Sequence, residues 1–374
     1  MITAFTGARL FDGTTLRDGA VLVIQGNRIT AIAASVPQGA QVINLAGGIL
    51  SPGLIDLQVN GGGGLMVDGT TDSATLQAMC ATHARLGTTG ILPTLITDTP
   101  SATASVIEAG VASIGTPGFL GLHLEGPHLD PRRKGAHDPA LIRPMEDDDL
   151  AMLVVAARRL PALMVTLAPC NARPDQIAAL SKAGVIVSLG HTECTFAEAE
   201  AAIAAGARCA THLFNAMSQL GNREPGLVGA VLTHDIAAGL IADGIHVAPA
   251  TLRAALSARP EGLFLVSDCM AAAGTDQTGF TLGGRKILRR DGRLTLEDGT
   301  LAGADLSLPQ AVAVMVQQVG LSPERALAMA TQTPSNLIGR NDLGRLSSGA
   351  RADLVHLSDD FRVLAVWQDG ENRL

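Results

Sequence analysis

The chain has 374 residues, of which 47 % are hydrophobic and 17 % charged, with a formal net charge of −8. That composition argues against a disordered chain, and an acidic balance without any basic stripe argues against a nucleic-acid partner. No apolar run reaches the roughly 18 residues of a membrane span, and the start, "MITAFTGARLFDG", has no basic segment followed by an apolar one, so neither an anchor nor a signal peptide is expected.

Five cysteines (Cys80, Cys170, Cys194, Cys209, Cys269) form no CxxC pair. They read as buried reduced thiols, and with the absent leader they point to the cytoplasm. The length allows two or three domains or one large α/β barrel.

Residues 1–50 read as a compact β unit, with "AVLVIQGNRITAIA" as two strands around a turn at Gly26 and Asn27. Next come eight apolar strand-like runs: "GILSPGLIDLQVNG", "GTTGILPTLIT", "GFLGLHLEGP", "ALMVTLAP", "GVIVSLGHT", "ARCATHLFN", "AAGLIADGIHV" and "GLFLVSDCM". Helix-like stretches such as "PDQIAALSKAG" and "CTFAEAEAAIAAG" lie between them. In the latter Thr195 and Glu198 form a candidate capping box. Near-continuous apolar strands alternating with helices predict a parallel sheet buried on both faces, and eight is the number that closes a (β/α)8 TIM barrel. A doubly wound open sheet is the competitor, but "NGGGGLM" matches neither Gly-rich phosphate-loop pattern.

After the eighth run, residues 279–303 read as a β-hairpin excursion with Asp-Gly turns at 291–292 and 298–299. The helix "LPQAVAVMVQQVG" leads to a β-rich tail. The expected organisation is a small β-sandwich built from residues 1–50 and 345–374, flanking a barrel over 51–344.

The chemistry is expected at the strand ends. The third run stops at Glu125, the fifth at His191, the sixth at His212, the seventh passes Asp243 to His246, and the eighth stops at Asp268. In a barrel these ends share the face that carries active sites. A carboxylate at the end of a buried strand is tolerable where a cation meets it. Glu125, His191 and His212 offer one oxygen and two imidazole nitrogens, a catalytic metal set with an open position. Asp268 is free to act as general base toward the water and as acid toward a leaving amine. Among the other histidines, His83 and His356 read as structural, and His128 and His234 as loop or surface residues.

Nearly the whole chain resembles the N-acetylglucosamine-6-phosphate deacetylase family of the amidohydrolase superfamily. The resemblance is carried by "SPGLIDLQVNG", "GLHLEGPHL", "KGAH", "SLGHTECTFAEAEAAIAAGARCATHLFNAM", "NREPGLVGA", "ADGIHV", "LVSDCMAAAG" and "GTLAG". It implies a barrel with a small β-sandwich, and hydrolysis of the acetamide of N-acetyl-D-glucosamine 6-phosphate to D-glucosamine 6-phosphate and acetate. It implies metal ligation by Glu125, His191 and His212, with Asp268 as catalytic acid and base. It implies that His137 polarises the acetyl carbonyl, and that Ala136, Asn215, Ala216, His246 and the loop Leu301, Ala302, Gly303 meet substrate. Arg223 matches a phosphate-binding arginine that reaches the neighbouring subunit's site, which implies a homodimer.

Many amidohydrolases end the first strand in His-x-His and hold two metals. Here Gln58 and Asn60 stand instead, and amides are poor zinc ligands beside imidazole, so one divalent ion per subunit is expected. Zinc is favoured, with iron, manganese and cobalt as alternatives, and Gln58 is a candidate partner of the metal's water. The rival readings are an amidohydrolase acting on a different phosphorylated N-acetyl amino sugar or a cyclic amide, and a silent scaffold.

Overall fold

The structure, a computed structural model, describes residues 1–374. Eight parallel strands follow one another round a single sheet in chain order: Leu54–Val59, Thr88–Ile96, Leu122–Glu125, Leu163–Leu167, Ile186–Leu189, Cys209–Ala210, Ala237–Leu240 and Leu263–Leu265. Each is followed by a helix, from Ser73–Arg85 after the first to Leu308–Val314 after the last. The ring closes at the seam between first and eighth strands. There Asp268 N–H donates to Gln58 O (3.0 Å) and Asn60 N–H to Cys269 O (2.9 Å). The expected TIM barrel is therefore the observed architecture.

The strands are buried on both faces, which is why the runs lack alternation; all four residues of Ile186–Leu189 are buried. Helix starts follow local chemistry. Thr195 Oγ1 accepts the Glu198 N–H (3.2 Å), and the Glu198 carboxylate accepts the Thr195 N–H (2.7 Å), so the expected capping box starts Phe196–Ala204. The helix Leu308–Val314 loosens into a π turn over Met315–Val319 and stops at Gly320 in the left-handed region.

Both termini contribute to a six-stranded sheet, ordered Glu371–Asn372, Val363–Gln368, Leu354–Leu357, Ile49–Pro52, Arg9–Phe11 and Leu16–Arg17. It faces a four-stranded sheet of Arg28–Ala33, Val21–Gln25, Ile2–Thr6 and Gln41–Asn44. A separate apolar cluster lies between them, centred on Phe5 and Trp367 in an edge-to-face pair at 4.9 Å. Phe5 is fully buried, so Phe5→Ala is expected to destabilise this layer by about 3–5 kcal/mol, read from a denaturant midpoint that falls at unchanged slope.

After the eighth barrel strand the chain forms a four-stranded antiparallel sheet, Gly279–Leu282, Arg285–Arg290, Arg293–Thr295 and Leu301–Ala304. It has its own apolar cluster, with Ile287, Leu294 and Ala302 buried, and its last strand returns beside Asp268. One expectation fails: four of the five cysteines are buried, but Cys170 is exposed. It follows the fourth strand in the turn before Pro174–Lys182, a surface position that apolar composition cannot foretell.

Candidate active site

The C-terminal strand ends build the site. In the third strand His123 and Glu125 share a face by the two-residue period, and both point into the barrel. His123 spends both nitrogens inside, Nδ1 on Leu57 O (3.0 Å) and Nε2 on Thr166 Oγ1 (2.7 Å). Burial pushes it down to about 4, so it stays neutral, and Glu125 alone faces the rim.

His191 and His212 sit just past their strands with φ of 45° and 30°, and Asp268 with φ of 50°. Left-handed backbone at non-glycine residues is costly, and it gathers where a fold over-determines geometry for function. The turn after each strand swings the side chain inward. Glu125 Oε1 lies 3.3 Å from His191 Nε2 and 3.2 Å from His212 Nε2, and the two imidazole nitrogens are 3.0 Å apart. All three donor atoms fall within 4.8 Å of one another.

Three features suit this set to a divalent cation. One carboxylate and two imidazoles are ordinary ligands of such ions. The His191 Nδ1 faces the carbonyl of Arg133 at 2.8 Å, and a carbonyl only accepts, so Nδ1 carries the proton and Nε2 presents its lone pair. Burial alone would raise Glu125, but the imidazoles of His191 and His212 set against it hold it well below the usual carboxylate range, so it stays anionic. Gly135 lets the loop reach this far: its φ is +53°, and a Cβ there would approach His191 Cε1 to 3.2 Å.

His137 packs edge-on against His191, centroids 4.4 Å apart. Its Nδ1 accepts the Thr97 backbone N–H (3.2 Å), which fixes the tautomer and leaves the Nε2 proton toward the site, 3.8 Å from Glu125 Oε2. Burial, then His191, push it down to about 3, so it is a neutral donor. Asp268 is pushed up to about 6, first by burial and then by the charge of Glu125, with partial relief from the Asn60 amide at 2.7 Å. His246 is held by Asp243, whose Oδ2 meets Nδ1 at 2.6 Å while Oδ1 accepts the N–H groups of Ile245 and His246.

A cavity of about 510 Å³ opens over these groups. Glu125, His191, His212, Asp268, His137, Ala136, Asn215, Ala216, His246, Leu301 and Gly303 all line it. Three expected residues do not. Ala302 is buried under the excursion sheet between two lining neighbours. Arg223 is exposed on the loop before Gly226–Thr233. Gln58 is buried and donates to Glu125 Oε1 (3.0 Å), so its amide meets the carboxylate ligand itself.

The cavity also brings in residues that sequence reasoning passed over. Arg132, Arg133 and Lys134 line it. Asp130 pairs with Arg132 and Glu193 with Arg133, while Lys134 has no carboxylate partner. The run "PRRKGAH" was their only signal. Thr97 carried none beyond its place at a strand end, and Asn60, which also lines the cavity, showed only as an amide standing where other amidohydrolases have a histidine.

The amidohydrolase family model matches residues 49–373, from the last strand before the barrel to the tail. The chain belongs to the amidohydrolase family. Among the relatives of this amidohydrolase is an N-acetylgalactosamine-6-phosphate deacetylase of Shewanella, 38 % identical over 380 residues, with 96 % of each chain covered. An N-acetylglucosamine-6-phosphate deacetylase of Haemophilus influenzae is 35 % identical, with 95 % of each covered. Among solved structures, the N-acetylglucosamine-6-phosphate deacetylase of Pasteurella multocida superposes with a TM-score of 0.96 at 36 % identity, covering 100 % of this chain and 99 % of its own. An aspartate-to-alanine variant of the Mycobacterium smegmatis enzyme, in complex with N-acetyl-D-glucosamine 6-phosphate, gives 0.92 at 33 % identity, with 100 % and 99 % covered.

Proposed function

We propose that this amidohydrolase removes the acetyl group of N-acetyl-D-glucosamine 6-phosphate, releasing acetate and D-glucosamine 6-phosphate. The observation that carries the reading is the Glu125, His191 and His212 cluster beside Asp268 in one cavity, in a chain that deacetylases of phosphorylated amino sugars match from end to end. The Shewanella relative supports the galacto epimer as a second substrate. Acetate release from the phosphorylated gluco and galacto sugars and from the plain sugar tests both readings; equal rates on plain sugar would sink the phosphate requirement.

Glu125, His191 and His212 are the residues that would hold a divalent ion, for which zinc suits the donor set best. When bound, such an ion acidifies water and polarises a carbonyl. Asp268 takes the proton of the attacking water and returns it to the sugar nitrogen as the C–N bond breaks. His137, neutral and with its Nε2 proton directed inward, donates to the oxyanion that develops on the acetyl group. Gln58 and Asn60 turn their amide N–H groups to Glu125 and Asp268, and amides are poor zinc ligands beside imidazole, which supports one ion per chain.

His246, Asn215, Ala216 and the edge Leu301, Ala302, Gly303 form the wall for the sugar phosphate. Arg223 serves the phosphate of a neighbouring subunit in a homodimer, which fits its distance from its own cavity. Arg223→Ala is then expected to raise KM for the phosphorylated sugar by about 10–100-fold, as loss of a charge-assisted pair should, with little effect on the plain sugar. Mixing Arg223→Ala with Asp268→Asn chains should restore activity through hybrid dimers; no recovery after subunit exchange would exclude the shared site. Five unpaired cysteines support a reducing compartment, the cytoplasm.

A further inference from the structure

Asp56 and Gln58 of the first barrel strand and Asn60 just past its end are three alternate buried polar residues at the seam, and the last two end on the candidate catalytic groups. Asp56 accepts the Ser267 N–H (3.1 Å), Gln58 donates to Glu125, and Asn60 Nδ2 donates to Asp268 Oδ1 at 2.7 Å. Asn60 and Asp268 are 208 residues apart in sequence but are clamped together by the seam. Asp268 N–H donates to Gln58 O, Asn60 N–H to Cys269 O, and the Val67 N–H returns to Asn60 O. Asn60 is 1 % exposed, and its Oδ1 is buried with no partner. A buried amide that leaves its oxygen unmet gives up a bond in order to place its N–H where it does.

From this geometry we propose that Asn60 is a positioning residue that selects which oxygen of Asp268 does chemistry. An ionised carboxylate only accepts, so the amide presents N–H to it. Oδ1 is thereby committed as an acceptor and fixed against the strand. The proton taken from water goes to Oδ2 and leaves from Oδ2 to the sugar nitrogen, so one proton enters and one departs on the same atom. Without the clamp the carboxylate rotates about its Cβ–Cγ bond, a broad and soft torsion, and the reactive oxygen loses its aim.

This inference rests on the deacetylase reading and on Asp268 as acid and base. The test compares Asn60→Ala with the isosteric Asn60→Asp, measuring acetate release from N-acetyl-D-glucosamine 6-phosphate, bound metal and melting temperature. Asn60→Ala should lower kcat about tenfold or more, within the range of an impaired acid–base group, at unchanged KM and metal content. Asn60→Asp should be worse at neutral pH, because it puts a second acceptor against Oδ1 and the two carboxylates compete for one proton. A filling role predicts the reverse order, since the isostere packs and the alanine does not. Asn60→Asp at or above Asn60→Ala in kcat, or losses that track metal content, would overturn the proposal. A wild-type protein that releases no acetate would remove the deacetylase reading and this role together, whereas active wild type with the reversed order removes this role alone.

Discussion

Asp268→Asn is expected to lower kcat by at least about a hundredfold while bound metal and KM stay near wild type. The substitution keeps shape and one acceptor oxygen, and the seam bonds run through the backbone of Asp268 and so survive. What disappears is the ability to take a proton and give it back. The same group predicts the acid limb of kcat/KM. Burial first, and the negative charge of Glu125 second, raise Asp268 to about 6. The ionised form is the active base, so activity is present above that value and is lost as pH falls through it. A cation held by Glu125 opposes the second cause, so the limb in the metal-loaded enzyme lies at or below about pH 6. Near-normal turnover in Asp268→Asn would remove Asp268 from the chemistry.

The barrel was legible because strands buried on both faces cannot alternate. Runs such as "GVIVSLGHT" and "AAGLIADGIHV" therefore stand out as continuous apolar blocks that stop at polar residues. The candidates Glu125, His191, His212 and Asp268 were legible for the same reason, each being the polar residue where such a run stops. The structure adds what no linear pattern carries. The positive φ values of His191, His212 and Asp268 aim these side chains, and φ depends on the loops that follow. The proton on His137 Nε2 is set by the backbone N–H of Thr97, whose strand lies next to the one ending at Glu125. Asn60 reads in sequence as half of a missing His-x-His pair. Its contact with Asp268 exists only because the first and eighth strands meet when the ring closes.

Glu125→Gln should abolish the metal dependence along with the activity. Chelation of the wild-type protein is expected to remove turnover, and one equivalent of divalent ion per chain should restore it. In Glu125→Gln the amide is neutral and a poor ligand. Loss of an outer-shell partner already costs about 10–100-fold in metal affinity, so loss of a direct ligand costs more. The consequence reaches stability, since an ion that binds only the folded chain stabilises by about 4 kcal/mol at a thousandfold excess over its Kd. The wild type should thus melt several degrees higher with metal than after chelation, and Glu125→Gln should show little difference. The buried carboxylate also explains the direction of the remaining balance. Without an ion, its charge is answered by His191 and His212 with the Gln58 amide beside them, and burial opposes the charges on Glu125 and His212 alike. A cation relieves this by answering the buried carboxylate directly. If Glu125→Gln held one equivalent of metal and turned over like wild type, the three-residue site would be wrong, whatever the fold.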